Sequence, residues 1–299
     1  MLYTLIKWPI RIALQCYLGR IDVRHKPVLT TRGPLLLVAN HPNSFLDAII
    51  IAASCRHPVH FLARGDAFRK PWHNTLLRLL NMIPVYRLSE GRENLHLNEK
   101  AFAASKAILQ QNGIVLIFIE GISVNSHQLQ PFRKGAARIA IEAVNSGVPL
   151  QVLPISISYA NFHGLHKSVW LSAGEIQTAT ALLSGGNEAQ QLNYFNEQLR
   201  IQLTERYIQP PPPVAKTLVA TALTLAAKIL HAPLYGWLAP VIHRKTKGTV
   251  FYDSVLFGAL LLLYPVYLLL LLLLLSYFQL PVSLIIVFPL TALLASKAK

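Results

Sequence analysis

A histidine and an aspartate stand six positions apart in Asn40-His41-Pro42-Asn43-Ser44-Phe45-Leu46-Asp47, directly after the apolar run Leu35–Ala39. Histidine titrates near neutrality, so His41 is a candidate to take a proton from a hydroxyl at physiological pH. An aspartate in reach fixes the tautomer of such a base and stabilises the imidazolium that forms. In one regular helix the two side chains would lie ~240° apart. They meet only if the chain turns between them, and Pro42 supports a turn. Further along, Phe118-Ile119-Glu120-Gly121-Ile122-Ser123 puts a glutamate after another apolar run. A carboxylate there is costly to bury without a partner, and the glycine lets backbone approach a ligand closely. Basic residues are interleaved with both motifs, among them Arg64, Arg87, Arg133 and Lys134. Arginine offers two-pronged contacts to phosphate.

These residues need a scaffold, and residues 21–209 read as one α/β unit. Strands are expected at 35–39, 60–63, 114–119, 151–157 and 169–172. Helices are expected at 44–54, opened by an Asn/Ser cap, and at 72–80, 95–110, 135–145 and 188–207. Alternation of strand and helix predicts a mixed, largely parallel sheet flanked by helices. A four-proline run at 210–213 marks the domain boundary, since proline cannot continue a helix.

The chain has 299 residues, 53% hydrophobic and 14% charged. That excess of apolar residues is concentrated. Residues 254–296 carry no charge at all, and 255–275 is long enough to cross a hydrocarbon core of about 30 Å. The stretch 281–295 is shorter; it either spans with the help of 277–280 or is re-entrant. Arg244, Lys245 and Lys247 precede this tail, and Lys297 and Lys299 follow it. The positive-inside tendency puts both ends in the cytoplasm and the tip near 276–279 outside. At the N-terminus, Leu2, Leu5, Ile6, Ile10, Leu14 and Tyr17 recur at helical spacing, while Lys7, Arg11 and Gln15 take another face. This predicts a helix in a membrane interface. The expected organisation is 1–20 as N-terminal interfacial helix, 21–209 as catalytic domain, 210–253 as Pro-rich linker with an interfacial helix or a pair of short ones, and 254–299 as C-terminal transmembrane hairpin. The formal net charge of +15 suits anionic lipid headgroups; nucleic acid is not an expected partner. Two cysteines make neither a disulfide framework nor a metal cluster, and no metal site is expected.

In the order in which they stand, four blocks resemble those of the membrane glycerolipid acyltransferases, which include glycerol-3-phosphate and lysophosphatidic acid acyltransferases. They are 40–47, 65–87, 118–121 and 148–155. Five residues separate His41 from Asp47, and Lys134-Gly135-Ala136-Ala137-Arg138 follows the third block; in both features the chain resembles the fungal-type dual glycerol-3-phosphate/dihydroxyacetone-phosphate branch. Ile119, Ile122 and Ser123 depart from the usual third block. The resemblance implies His41 as base and Asp47 as its orienter. It implies a substrate site drawing on Arg87, Glu120, Gly121, Ser123, Arg64 and Lys134. The implied activity moves a fatty acyl chain from acyl-CoA or acyl-carrier protein to glycerol-3-phosphate or its monoacyl form, without cofactor or acyl-enzyme. The implied place is the cytoplasmic (inner) membrane, with the site facing the cytoplasm and the bilayer, the acyl thioester, the phosphate-bearing acceptor and acyl-carrier protein as partners. Another lyso-lipid acceptor, or a catalytically silent membrane scaffold of the same fold, is the alternative.

Overall fold

A computed structural model describes residues 2–86, 97–212 and 217–298, apart from the side chains of Leu2 and Leu97. Arg87 and parts of the 95–110 and 210–216 stretches lie outside the described residues.

The sheet is built around a fully buried strand, β2 (Leu35–Ala39). Its neighbours β5 (Ile114–Phe118) and β6 (Gln151–Tyr159) both run parallel to it. Strands β3 (His60–Arg64) and β4 (Met82–Val85) extend the sheet beyond β5. On the other side, β7 (Ser168–Ala173) pairs antiparallel with β6, and β1 (Arg20–Arg24) runs parallel with β7. The order is therefore β1-β7-β6-β2-β5-β3-β4, and the two-residue β8 (Gln177–Thr178) also pairs with β6. This is the mixed, largely parallel sheet expected from the strand–helix alternation.

Side chains alternate across a strand, so β2 feeds two cores. Leu35, Leu37 and Ala39 face one; Leu36 and Val38 face the other. Helices α5 (Gly135–Asn145), α6 (Ala179–Leu182) and α7 (Glu188–Arg206) cover the second face, with α4 (Leu97–Gln110) contributing Leu109. In α5, Ala136, Ala137, Ala140 and Ala143 are buried, and their small side chains let the helix seat closely. Asn187 and Gln190 form a capping box that starts α7. The first face is covered by α1 (Leu2–Tyr17) and α2 (Phe45–Ser54). Two C-terminal helices join them: α8 (Leu218–Thr246) through Leu238, Ala239 and Ile242, and α9 (Tyr252–Tyr277) through Leu256 and Phe257. Helix α3 (Pro71–Leu79) buries no residue and exposes Trp72, Leu76 and Leu79.

Three features refine the expectations. Lys7 and Arg11 are tied to the end of α2 as well as reaching the surface. Lys7 Nζ donates to the Cys55 carbonyl at 2.6 Å, and Arg11 Nε to that of Ala53 at 2.7 Å. These carbonyls end α2, where unpaired acceptors and the helix dipole favour cations. The outward apolar stripe of α1 is Leu5, Trp8 and Ile12. Secondly, the segment expected to hold one interfacial helix or two short ones forms a single 29-residue helix that runs through Pro233 and Pro240. Both α8 and α9 are long and apolar enough to cross a membrane. Thirdly, the returning arm of the C-terminal hairpin is a 3-10 turn, Val282–Ile286, followed by the 11-residue α10 (Val287–Lys297).

Candidate active site

The site is a turn hung from the C-terminal end of β2. Asn40 locks it to β6: its side-chain amide donates to the Ile157 carbonyl at 2.9 Å and accepts from the Ile157 amide at 2.8 Å. The next residue is His41. Its backbone N–H donates to Glu120 Oε2 at 2.8 Å, and its carbonyl accepts from Val124 N at 3.2 Å. The chain then reverses through Ser44, whose φ of 53° and ψ of −140° lie outside the ordinary L-residue regions. Ser44 does not cap α2 with its side chain. Its N–H donates to Ser123 Oγ at 2.8 Å instead. Helix α2 starts only at Phe45. This late start removes the angular conflict of a continuous helix, and Asp47 reaches back to His41.

The contact is His41 Nδ1 to Asp47 Oδ2 at 2.9 Å, with the imidazole side chain 14% exposed and the carboxylate fully buried. Two more donors converge on Asp47: the Asn43 N–H on Oδ2 at 2.7 Å and the Tyr159 hydroxyl on Oδ1 at 2.6 Å. Three donors suit an ionised carboxylate, which only accepts. With Asp47 accepting, the network assigns the proton of His41 to Nδ1 and leaves the Nε2 lone pair available. The ring lies flat on Phe118, centroids 3.7 Å apart and planes within 10°. Its orientation is thus set from the side and from below. Burial and the Asp47 carboxylate push the Tyr159 hydroxyl well above its ordinary pKa, so it remains a donor.

Glu120 is buried, and both of its oxygens accept from backbone: Oε2 from His41 N and Oε1 from Gln130 N at 2.8 Å. Burial raises its pKa; the two amide bonds act in the opposite sense. Glu120 therefore clamps the His41 turn to the loop after β5. Gly121 has φ of +67°, and a Cβ there would sit 2.9 Å from Arg133 Cγ, so both backbone and space call for glycine.

His41, Asp47, Glu120, Gly121 and Ser123 are thus gathered into one cluster. Arg64 stands at the end of β3, two strands from β2, where it pairs with Asp66 and lies 5.8 Å from the Phe251 ring centroid. Lys134 is exposed at the start of α5. Among the described residues, no group of three or more His, Cys, Asp or Glu is placed to hold a metal. Sequence reasoning did not single out Tyr159 or Phe118. For Tyr159 a signal existed: strand alternation places it on the same face as Leu153, Ile155 and Ile157, the face that α2 covers.

Residues 20–158 match the family model described as Acyltransferase. A Mycoplasma pneumoniae protein named "Probable 1-acyl-sn-glycerol-3-phosphate acyltransferase" is 26% identical over 131 residues, 42% of this chain and 47% of its own length. Its Mycoplasma genitalium namesake is 27% identical over 130 residues, 42% of this chain and 44% of its own. The chain spans about half the length of the curated relatives it matches. The crystal structure of the 1-acyl-sn-glycerophosphate (LPA) acyltransferase PlsC from Thermotoga maritima superposes with a TM-score of 0.46 and 20% identity, covering 65% of this chain and 75% of that one. The matched stretch runs from β1 to within one residue of the end of β6 and contains the whole His41–Asp47 turn, so residues 20–158 resemble an acyltransferase domain.

Proposed function

We propose that the protein acylates a hydroxyl of a glycerol-phosphate acceptor, glycerol-3-phosphate or its 1-acyl form, at a membrane surface, with an acyl thioester as donor. The observation that carries this reading is the 2.9 Å contact between His41 and the triply bonded, buried Asp47. His41 Nε2 removes the acceptor's hydroxyl proton as the oxygen attacks the thioester carbonyl. The C–S bond then breaks, and the imidazolium returns the proton to the departing thiolate. Asp47 keeps its charge throughout and stabilises the imidazolium. A base so placed contributes about 10²–10⁴-fold. The names of the curated relatives favour the 1-acyl acceptor. Arg87 is the proposed phosphate contact on the strength of the family pattern; Arg64 and Lys134 are the further cations. Glu120 serves the site by holding the backbone of His41. The cytoplasmic face of the inner membrane is the proposed place, and acyl-CoA and acyl-carrier protein are the two donors to compare.

The test is an acceptor panel with labelled acyl-CoA and acyl-carrier protein, run on the wild type and His41→Ala together. The expected result is acceptor-dependent thiol release that falls at least 10²-fold in the variant. Retention of more than a few per cent of activity by His41→Ala refutes the base assignment. A second reading, an acceptor lacking the phosphate, draws on two contacts. Ser123 Oγ is bonded to Ser44 N, and Arg64 is bonded to Asp66. Transfer to such an acceptor in preference to the glycerol phosphates would select it.

A further inference from the structure

The catalytic turn is gripped from outside the region that the family model matches. Helix α9 begins at Tyr252, and its first turn lies against residues 43–46. Asp253 is fully buried, although it opens a long, strongly apolar helix. Its Oδ2 accepts from the Asn43 side-chain amide at 3.2 Å and pairs with the buried Lys167 ammonium. Its Oδ1 accepts from the Tyr17 hydroxyl at 2.9 Å and from Gly164 N at 3.2 Å. Ser254 completes the grip. Its Oγ accepts from Leu46 N at 3.0 Å and donates to the Asn43 carbonyl at 3.3 Å. Thus Asp253 and Ser254 hold the chain on both sides of Ser44.

The position of Asn43 explains why this matters. Its backbone N–H donates to Asp47 Oδ2, the oxygen that also holds His41 Nδ1. Movement of Asn43 therefore removes one of the three donors on Asp47 and releases the carboxylate from its set direction. Burial lowers the Lys167 pKa to about 7, even with Asp47 acting in the opposite sense. Asp253 supplies the compensating charge, and the Phe162 carbonyl accepts from both Lys167 Nζ at 3.0 Å and the Asn43 amide at 3.3 Å. A charged pair at the root of an apolar helix is expensive when packing is the only requirement, because apolar side chains of similar size fill such a space at no loss.

We propose that Asp253, neutralised by Lys167 and assisted by Ser254, is a positioning residue for the His41–Asp47 pair, so that acyl transfer requires the C-terminal apolar helix to be seated against the catalytic domain. This rests on the reading of His41 as the base. The seating of α9 and the shape of the catalytic turn are one event. A chain whose α9 is withdrawn keeps the sheet and loses the aligned imidazole.

Three full-length variants in detergent micelles test it: Asp253→Leu with Lys167→Met as a double, Ser254→Ala, and His41→Ala for reference. The double variant removes both charges and keeps the volume filled. The expected result is a kcat at least 10-fold below wild type, a KM for acceptor within about 3-fold, and a cooperative melt whose midpoint falls, because Tyr17, Gly164 and Asn43 lose their acceptor. In ¹⁵N-histidine spectra, the downfield Nδ1 proton of His41, assigned by its absence from His41→Ala, is expected to weaken or vanish. Ser254→Ala removes a single hydroxyl; its expected kcat loss is about 3- to 10-fold, with the same spectral change in milder form. A double variant with wild-type kcat and an intact His41 signal overturns the proposal, because an ion pair of structural value alone predicts that outcome. If the double variant fails to fold, Ser254→Ala decides: wild-type kcat and signal overturn the proposal, and loss of both supports it. The spectrum does not depend on turnover. A wild type that transfers to no acceptor would sink the enzymatic reading while the His41 signal still judged the positioning.

Discussion

Ser44 shows how the proposed catalytic pair, His41 and Asp47, is assembled at a local cost. Its backbone occupies a region nearly reserved for glycine, worth of order 1–3 kcal/mol of strain. Hydrogen bonds from Ser44 N to Ser123 and from Leu46 N to Ser254 hold the strained turn. Ser44→Gly should therefore raise stability by about 1 kcal/mol, a net of relieved strain against added chain entropy, with kcat within a few-fold of wild type. Thermal melts and initial rates on one preparation check both halves; a lowered melting temperature would show that the turn is not strained. Tyr159→Phe tests the opposite kind of contact. The variant leaves one oxygen of a buried carboxylate without its 2.6 Å donor, at a cost of about 1–3 kcal/mol. It should also reduce kcat about 10-fold through the looser Asp47, and an unchanged kcat would remove Tyr159 from the support of the pair. At this scale the meeting of His41, Asp47 and Glu120 in space was legible from residue type and block order, while their roles stay with the proposal. The duty of Glu120 was not legible, because a carboxylate at a strand end looks the same whether it faces ligand or accepts two backbone N–H groups. The Phe118 stack was equally hidden, since it depends on how the turn returns over β5.

Among the elements, those with long, unbroken apolar patterns were legible to within a residue or two: β2, β5, α5 and α7. The strand β1 was missed because Arg20, Asp22 and Arg24 put charge at alternate positions of an edge strand. For α8 the sequence left one helix and two short ones both open. Pro233 deprives the helix of a backbone donor, and sequence alone does not show what compensates. In the structure α9 lies alongside, and the Tyr267 hydroxyl donates to the Leu230 carbonyl at 2.8 Å. His231 adds a bond to the Tyr264 hydroxyl at 3.0 Å. Partner helices thus carry a proline that an isolated helix would not. The reassignment of Lys7 and Arg11 has a measurable consequence. Arg11 bonds to two carbonyls at the end of α2, the helix that carries Asp47. Arg11→Ala should cost about 1 kcal/mol, read as a fall of about 2–4 °C in melting temperature. If Arg11 served only headgroups, the melt in neutral detergent would not change, and only binding to anionic vesicles would weaken.

For the whole molecule, the question is how deep the C-terminal helices go. By length and composition α8 and α9 could each cross a bilayer. Position limits them. The root of α9 belongs to the catalytic core: Asp253 holds Asn43, Leu256 and Phe257 are buried, and residues through Leu261 pack against the same cluster. What extends beyond that cluster is Leu262 to Tyr277, roughly 24 Å at about 1.5 Å per residue, against a hydrocarbon core of about 30 Å. The returning arm is no longer: α10 ends with Ala295 and Ser296 buried. A hairpin anchored at both roots in the domain should therefore dip into a bilayer and turn back at 278–281, with the basic residues 244–247 left at the surface to meet anionic headgroups. This predicts the outcome of impermeant maleimide labelling on single-cysteine variants in sealed vesicles, with Cys16 and Cys55 replaced. A cysteine at Lys247 should react only from the side of the catalytic domain. One at Gln279 should react from neither side until detergent is added. Labelling of Gln279→Cys from the opposite side of intact vesicles would show a full crossing, which demands that the domain itself sink several ångströms into the headgroup layer.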